Sequence, residues 1–308
     1  MGDSEADTWM NIAASSHVPS MREQVPRDGP ALTRILMGTR LRRLREASGI
    51  TREAAGKAIR GSHAKISRLE LGRVGPKERD VADLLTLYGV TDDQERAGLL
   101  ALTRQANATG WWHRYGGVLP SWFEMYVGVE QAASAISTYE VQFVPGLLQT
   151  ETYARAVTLL CHQGESAEQI DLRIQLRMTR QEYLFGPDAP SFVVVLDETA
   201  LRRPLGSPQV MRGQLHRLIE LAELPSLTVQ VLPFRNGGHA AASGPFTILR
   251  FAEPDVPDMV YLEQLSSALY LSKRADIDCY AAVMERLQAM AETPAETIRF
   301  VHSIIKQM

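Results

Sequence analysis

A chain of 308 residues, 45% hydrophobic and 22% charged, is long enough to bury two ordinary cores. Its two cysteines, Cys161 and Cys279, lie far apart without CxxC or Cys/His spacing, which excludes a disulfide framework and a cysteine-based zinc site. No apolar run approaches the roughly 20 residues needed to span a bilayer, and residues 1–8 are acidic and polar rather than a basic patch before an apolar core, so a cytoplasmic protein without membrane contact is expected.

Residues 1–30 hold Pro19, Pro26 and Pro30 and no sustained periodicity, which predicts a disordered N-terminal arm. Five helices are predicted over 31–108. The first, 32–47, carries Leu32, Ile35, Leu36, Leu41 and Leu44 on its apolar face and ends at Gly49. Thr51 caps a second helix reaching residue 59, and Ser62 caps a third reaching residue 71. The fourth covers 77–88 and stops at Gly89; Thr91 opens the fifth, which runs toward Asn107.

Two short helices joined by a glycine turn, 49–73, read as a helix-turn-helix. The chain is formally −3, yet between residues 32 and 77 twelve Lys and Arg stand against three Asp and Glu. Each cation placed on a phosphate releases condensed counterions, so this concentration of charge points to double-stranded DNA as the partner. On the third helix, positions i, i+1, i+2 and i+5 reach base edges, which makes His63, Ala64, Lys65 and Arg68 the expected base contacts. The Arg68 fork matches guanine O6 and N7. Arg52, Ser62 and Ser67, with Arg43, Arg73 and Lys77, are the expected phosphate contacts. Glu70 would repel phosphate unless neutralised, so a structural pair with Arg45 is expected, tying the first helix to the third. One short helix reads only a few base pairs, and a homodimer is the expected remedy.

The remainder, 109–308, is expected to be a mixed α+β regulatory or interaction domain, helical over 109–190 and a sheet with helices over 191–308. Helices are predicted at 123–136, 150–161, 167–183, 208–224, 277–291 and 294–306, and strands at 192–196, 227–232, 246–251, 259–263 and 268–271. Trp111 and Trp112 mark the junction; these rings either pack the domains, seal a dimer contact or offer a ligand surface. Pro145 and Gly146 form a turn before a helix capped by Thr150, and Gln149 either supports that turn or faces a ligand or partner. The fold class is therefore multidomain, an all-α helix-turn-helix domain of five helices followed by a mixed α+β domain.

An enzyme would need a constellation of reactive groups, and only fragments are present. Asp197 and Glu198 at a strand end resemble paired carboxylates; Gly237-Gly238-His239 with Ser243-Gly244 resembles a phosphate-cradling loop with a base. Turn and cap roles explain both, and GxSxG, HExxH, Walker and Rossmann patterns are missing. No enzyme, cofactor or metal is expected. The alternative kept open is a C-terminal domain that is an enzyme or interaction module with DNA binding secondary.

Gly49-Ile50-Thr51 and Ser62-x-x-x-Ile66-Ser67-Arg68-x-Glu70-x-Gly72-Arg73 resemble the Cro/C1, or xenobiotic-response-element, type of helix-turn-helix regulator, with Arg52 where that family usually has Gln. A second resemblance rests on Trp111-Trp112-His113-Arg114-Tyr115, Tyr139-Glu140, Val144-Pro145-Gly146-Leu147-Leu148-Gln149-Thr150-Glu151-x-Tyr153-Ala154-Arg155, Leu201-Arg202-Arg203-Pro204, Val229-Gln230-Val231-Leu232-Pro233 and Gly244-Pro245-Phe246. These are similar to a large actinobacterial regulator family with a poorly characterised C-terminal domain. The resemblance implies antitoxin-type or developmental transcriptional control, linked to sporulation and antibiotic production, often with a very small protein encoded nearby as partner; a C-terminal domain that binds such a protein or a small-molecule effector and changes DNA affinity is the expected regulatory reading.

Overall fold

The computed structural model describes residues 29–308, so the expected arm falls outside the described residues up to position 28. Helix α1, Pro30–Ala47, begins with a proline whose missing N–H costs nothing in the first turn. It is followed by α2, Arg52–Ala58, capped by Thr51 Oγ1 accepting from the Ala54 N–H, and by α3, His63–Glu70, capped in the same way by Ser62 and Lys65. Helices α4, Glu78–Leu87, and α5, Asp93–Ala106, close the domain over Met37, Leu41, Ala55, Ile66, Leu69, Leu84 and Leu85, all buried. Each large aliphatic side chain there contributes about 1.5 to 3 kcal/mol.

The α2–α3 turn departs from expectation in one backbone detail. Arg60, not Gly61, holds the left-handed conformation, with φ 52°. Glycine is needed elsewhere: at Gly38 a Cβ would stand 2.4 Å from the Leu69 carbonyl oxygen, so only glycine lets α1 cross α3 this closely.

The second domain opens with α6, Ser121–Ala132, and strand β1, Ala135–Glu140. There follow α7, Glu151–Cys161, α8, Ala167–Gln181, β2, Ser191–Asp197, α9, Glu198–Arg202, α10, Pro208–Leu221, and β3, Leu227–Leu232. The chain ends with β4, Phe246–Arg250, β5, Met259–Glu263, β6, Ala268–Leu271, α11, Arg274–Met290, and α12, Pro294–Gln307. The sheet order is β3-β2-β1-β4-β5-β6; β1, β2 and β3 are parallel, and β4, β5 and β6 add on antiparallel.

One strand corrects the expected layout. The predicted helix 123–136 stops at Ala132, and β1 lies inside the segment expected to be helical, at the centre of the sheet. No Gly or Pro separates helix from strand; the break is made by Ser134, whose N–H and Oγ both donate to the Arg250 carbonyl, 116 residues away. That partner is invisible to a local reading.

Helices α6, α7, α8, α10 and α12 contribute to the core on one face of the sheet, and α11 covers the other. Helix α1 serves both domains. Ala31, Leu32 and Ile35 join the core of the second domain with Trp112 and Val127, whereas Met37 and Leu41 belong to the first. A Cβ on Gly128 would come within 2.4 Å of the Ala31 Cβ, so α6 and α1 are in close contact. Among the described residues no helix is long and apolar enough to cross a membrane.

Candidate nucleic-acid interface

The geometry of α3 follows from which of its residues must be buried. Ile66 and Leu69 enter the core, and this fixes the rotation that leaves His63, Ala64 and Arg68 exposed. No partner among the described residues holds His63 or Arg68. Ser67 is half-buried, and Ser62 uses its hydroxyl oxygen as the cap acceptor, which leaves its O–H free to donate.

Acids hold three of the expected DNA contacts, two of them from inside the domain and one from the second domain. Lys65 reaches Asp80 of α4, whose carboxylate is almost wholly buried, so Lys65 neutralises that charge. Arg52 Nε donates to Glu70 Oε2 at 2.8 Å, which ties α2 to α3. Arg43 pairs with Asp255, in the β4–β5 loop of the second domain, with Arg40 Nε 3.9 Å from the same carboxylate. Arg73 and Lys77 remain exposed, Lys77 at the start of α4. With Arg60, they place exposed cations in sequence on both sides of α3.

The structure brings Arg45 and Glu70 together. Arg45 donates from Nε to Oε1 and from Nη2 to Oε2, the latter at 3.2 Å, and its Nη1 donates to the Ile50 carbonyl at 3.0 Å. The hydrogen bond with Glu70 raises the Arg45 pKa, outweighing the opposing effect of burial. Glu70 therefore binds α1, α2 and α3 at one point.

The residues expected to offer a partner or ligand surface do not do so together. Trp112 is 2% exposed and packs on Gly110 and Gly128, so it is a wedge between α1 and α6. Trp111 is half-buried and donates from Nε1 to Gln131 Oε1 at 2.9 Å. Gln149 is 4% exposed: its Nε2 donates to the Val144 carbonyl, and its Oε1 accepts from Arg177 Nη1 at 2.8 Å. Its amide maintains the turn before α7 and leaves little for a ligand.

Residues 36–99 match the helix-turn-helix domain family, from within α1 to the middle of α5. Residues 123–303, more than half of the chain, match the domain of unknown function DUF5753. The chain belongs to the DUF5753 family. No curated protein and no solved structure matches it. A helix-turn-helix domain followed by a DUF5753 domain supports a regulator that binds DNA.

The DUF5753 domain holds polar groups that sequence reasoning missed or left apart. Glu130 of α6 accepts from Nε and Nη2 of Arg180, both at 2.8 Å, and the rings of Phe123 and Tyr126 stand 5.0 and 5.5 Å from its guanidinium. Nothing local in the sequence signals that pair. At the carboxyl end of β1, successive residues point to opposite faces of the sheet. Tyr139 reaches His239, its hydroxyl 3.0 Å from Nε2, and burial, then the nearby Asp197, raises its pKa. Glu140 is pushed up to about 8 by burial and then by repulsion from Glu263. Asp197 and His239, read in the sequence as separate fragments, share one cavity with Tyr139.

Proposed function

We propose that this DUF5753 protein is a sequence-specific transcriptional regulator of the Cro/C1 type, acting in the cytoplasm as a homodimer whose C-terminal domain senses a small partner protein or a metabolite. The reading assigns the C-terminal domain no catalytic step and no cofactor, and it places the protein with antitoxin-type and developmental regulators of actinobacteria. Boundaries at 31–108 and 109–308 go with it, α1 being shared between the two cores.

The observation that carries the reading is the state of the cations. Arg45, Arg52 and Lys65 are held by Glu70 and Asp80, while Arg68 and His63 stand on the exposed face of α3 with no partner among the described residues. A domain that pairs its structural cations and leaves this face unpaired suits a groove lined by phosphates and base edges. Two-fold symmetry would set two such helices about 34 Å apart on one side of a duplex. The Asp255 contact with Arg40 and Arg43, and the shared helix α1, supply a mechanical path between the domains.

Genome-wide capture of DNA by the purified protein at two salt concentrations tests the proposal. An inverted-repeat motif that persists at higher salt is expected; uniform capture that vanishes with salt would overturn it.

A further inference from the structure

Three parallel strands end side by side in the DUF5753 domain, β1 at Glu140, β2 at Asp197 and β3 at Leu232. Both crossovers lead away from β1 in one direction, and the chain then returns past it to lay β4 on its other side. Where a chain reverses in this way, the connections part and leave a crevice beyond the carboxyl ends of the strands. A cavity of about 480 Å³ lies there, lined by Tyr139, Asp197, Leu232, Phe234 and the loop carrying His239 and Gly244. That is the volume of a site for a small organic molecule.

We propose that this cavity binds a small organic cation, a primary ammonium on an apolar body, through the Asp197 carboxylate. The proposal rests on the reading that the C-terminal domain senses a metabolite and names the chemistry of that metabolite. Among the described residues lining the cavity, Asp197 is the only carboxylate, and none is a Lys or Arg. Its Oδ1 is taken by the Thr199 N–H at 2.8 Å and by the Thr199 hydroxyl; among the described residues its Oδ2 has only His239 Nε2, at 4.0 Å. The nearby guanidinium groups are committed, Arg202 to Glu198 and Arg235 to Glu292. A mostly buried carboxylate without a counter-ion costs free energy that an ammonium recovers.

The neighbours suit that ligand. His239 Nδ1 accepts from the Ala241 N–H at 3.3 Å, which leaves the ring hydrogen on Nε2 to donate to the Tyr139 oxygen. With Nδ1 taken by the Ala241 N–H and Nε2 turned to the Tyr139 oxygen, the ring stays 4.0 Å from Asp197 Oδ2, beyond hydrogen-bond reach. Phe234 is 56% exposed, an unusual position for a phenyl ring, and it offers a face for a cation or an apolar body. No Lys or Arg lines the cavity, so the glycine-rich loop read in the sequence as a phosphate cradle faces a negative site that repels phosphate.

The test uses the full-length protein and ligand-observed NMR with isothermal titration. The probes are 2-phenylethylamine, cyclohexylmethylamine and butylamine, each beside the alcohol and the carboxylate of matching skeleton. At least one amine is expected to bind about tenfold or more tightly than its alcohol, with the carboxylate weakest. Asp197→Asn keeps the acceptor that caps α9 and should remove that preference at an unchanged Tm. Ala242→Trp, on the exposed rim, should block binding while leaving Asp197 in place. Binding of no amine, equal binding of alcohol or carboxylate, or full binding by both variants would overturn the site. Repeating the titration against captured DNA separates the two readings: an amine that binds without changing DNA affinity keeps the site and overturns the sensing role, and a changed affinity supports both.

Discussion

Arg45 of α1 grips Glu70, the last residue of α3, with two parallel hydrogen bonds in a place where both side chains are less than a tenth exposed. Arg52 of α2 donates to the same carboxylate. One acid thus fixes the relative placement of all three helices of the motif, and the recognition helix inherits its angle from that point.

Replacing Glu70 by Ala leaves the buried Arg45 guanidinium with the Ile50 carbonyl and the half-exposed Glu46 carboxylate, 3.3 Å from Nη2, in place of its two-bond partner. A loss of roughly 3 to 5 kcal/mol is expected, the usual cost of breaking a buried pair from one side. Urea unfolding of the full chain checks it, and base preference should change less than stability does. An unchanged midpoint would remove the structural role assigned to the pair.

Arg68→Ala and Lys65→Ala should separate cleanly. Arg68 is exposed and has no partner among the described residues, so its loss should relax specificity at one position per half-site, by about 1 to 3 kcal/mol, without lowering Tm. Lys65 neutralises buried Asp80, so its loss should lower Tm while the sequence preference survives. A uniform fall in affinity for all DNA after Arg68→Ala would make it a phosphate contact.

Arg60→Gly should stabilise the fold. The left-handed conformation costs a side-chain-bearing residue about 1 to 2 kcal/mol, and the extra freedom of glycine in the unfolded chain returns part of it, leaving roughly 0.5 to 1 kcal/mol. Thermal unfolding measures this; a lower Tm would show that the Arg60 side chain contributes more to the turn than its backbone costs.

Glu140 gives stability a dependence on pH. Its carboxyl keeps its proton up to about 8 in the folded chain against an ordinary value of 4.5, because burial, and then Glu263, disfavour the charge. The folded state therefore binds more protons over that interval, and stability present below pH 4.5 is lost as pH rises through 8. Denaturant midpoints of Glu140→Gln should exceed those of the parent above pH 8 and converge with them near pH 5. Parallel profiles for the two proteins would rule the effect out.

Local signals were enough to locate most elements. Thr51, Ser62 and Thr150 each cap the helix that follows them, because a short hydroxyl side chain beside an apolar 3.6-residue pattern has one low-energy use. Strands β3 to β6 are β-branched or aromatic runs between turn residues, and they form close to where those runs lie. Strand β1 was concealed because Ala, Ile, Ser and Thr continue an apolar helix without a breaker, and its identity depends on pairing with β2 and β4, far along the chain.

By itself the sequence determined the helix-turn-helix, its concentration of positive charge and the mixed architecture of the second domain, since these depend on spacing, capping and composition within some twenty residues. The tertiary structure alone decided which charges remain available. Lys65 goes to Asp80, Arg43 to Asp255 and Arg52 to Glu70, and no Lys or Arg among the described residues pairs with Asp197, because Coulomb energy follows distance in space and these partners lie 15 or more residues apart in sequence.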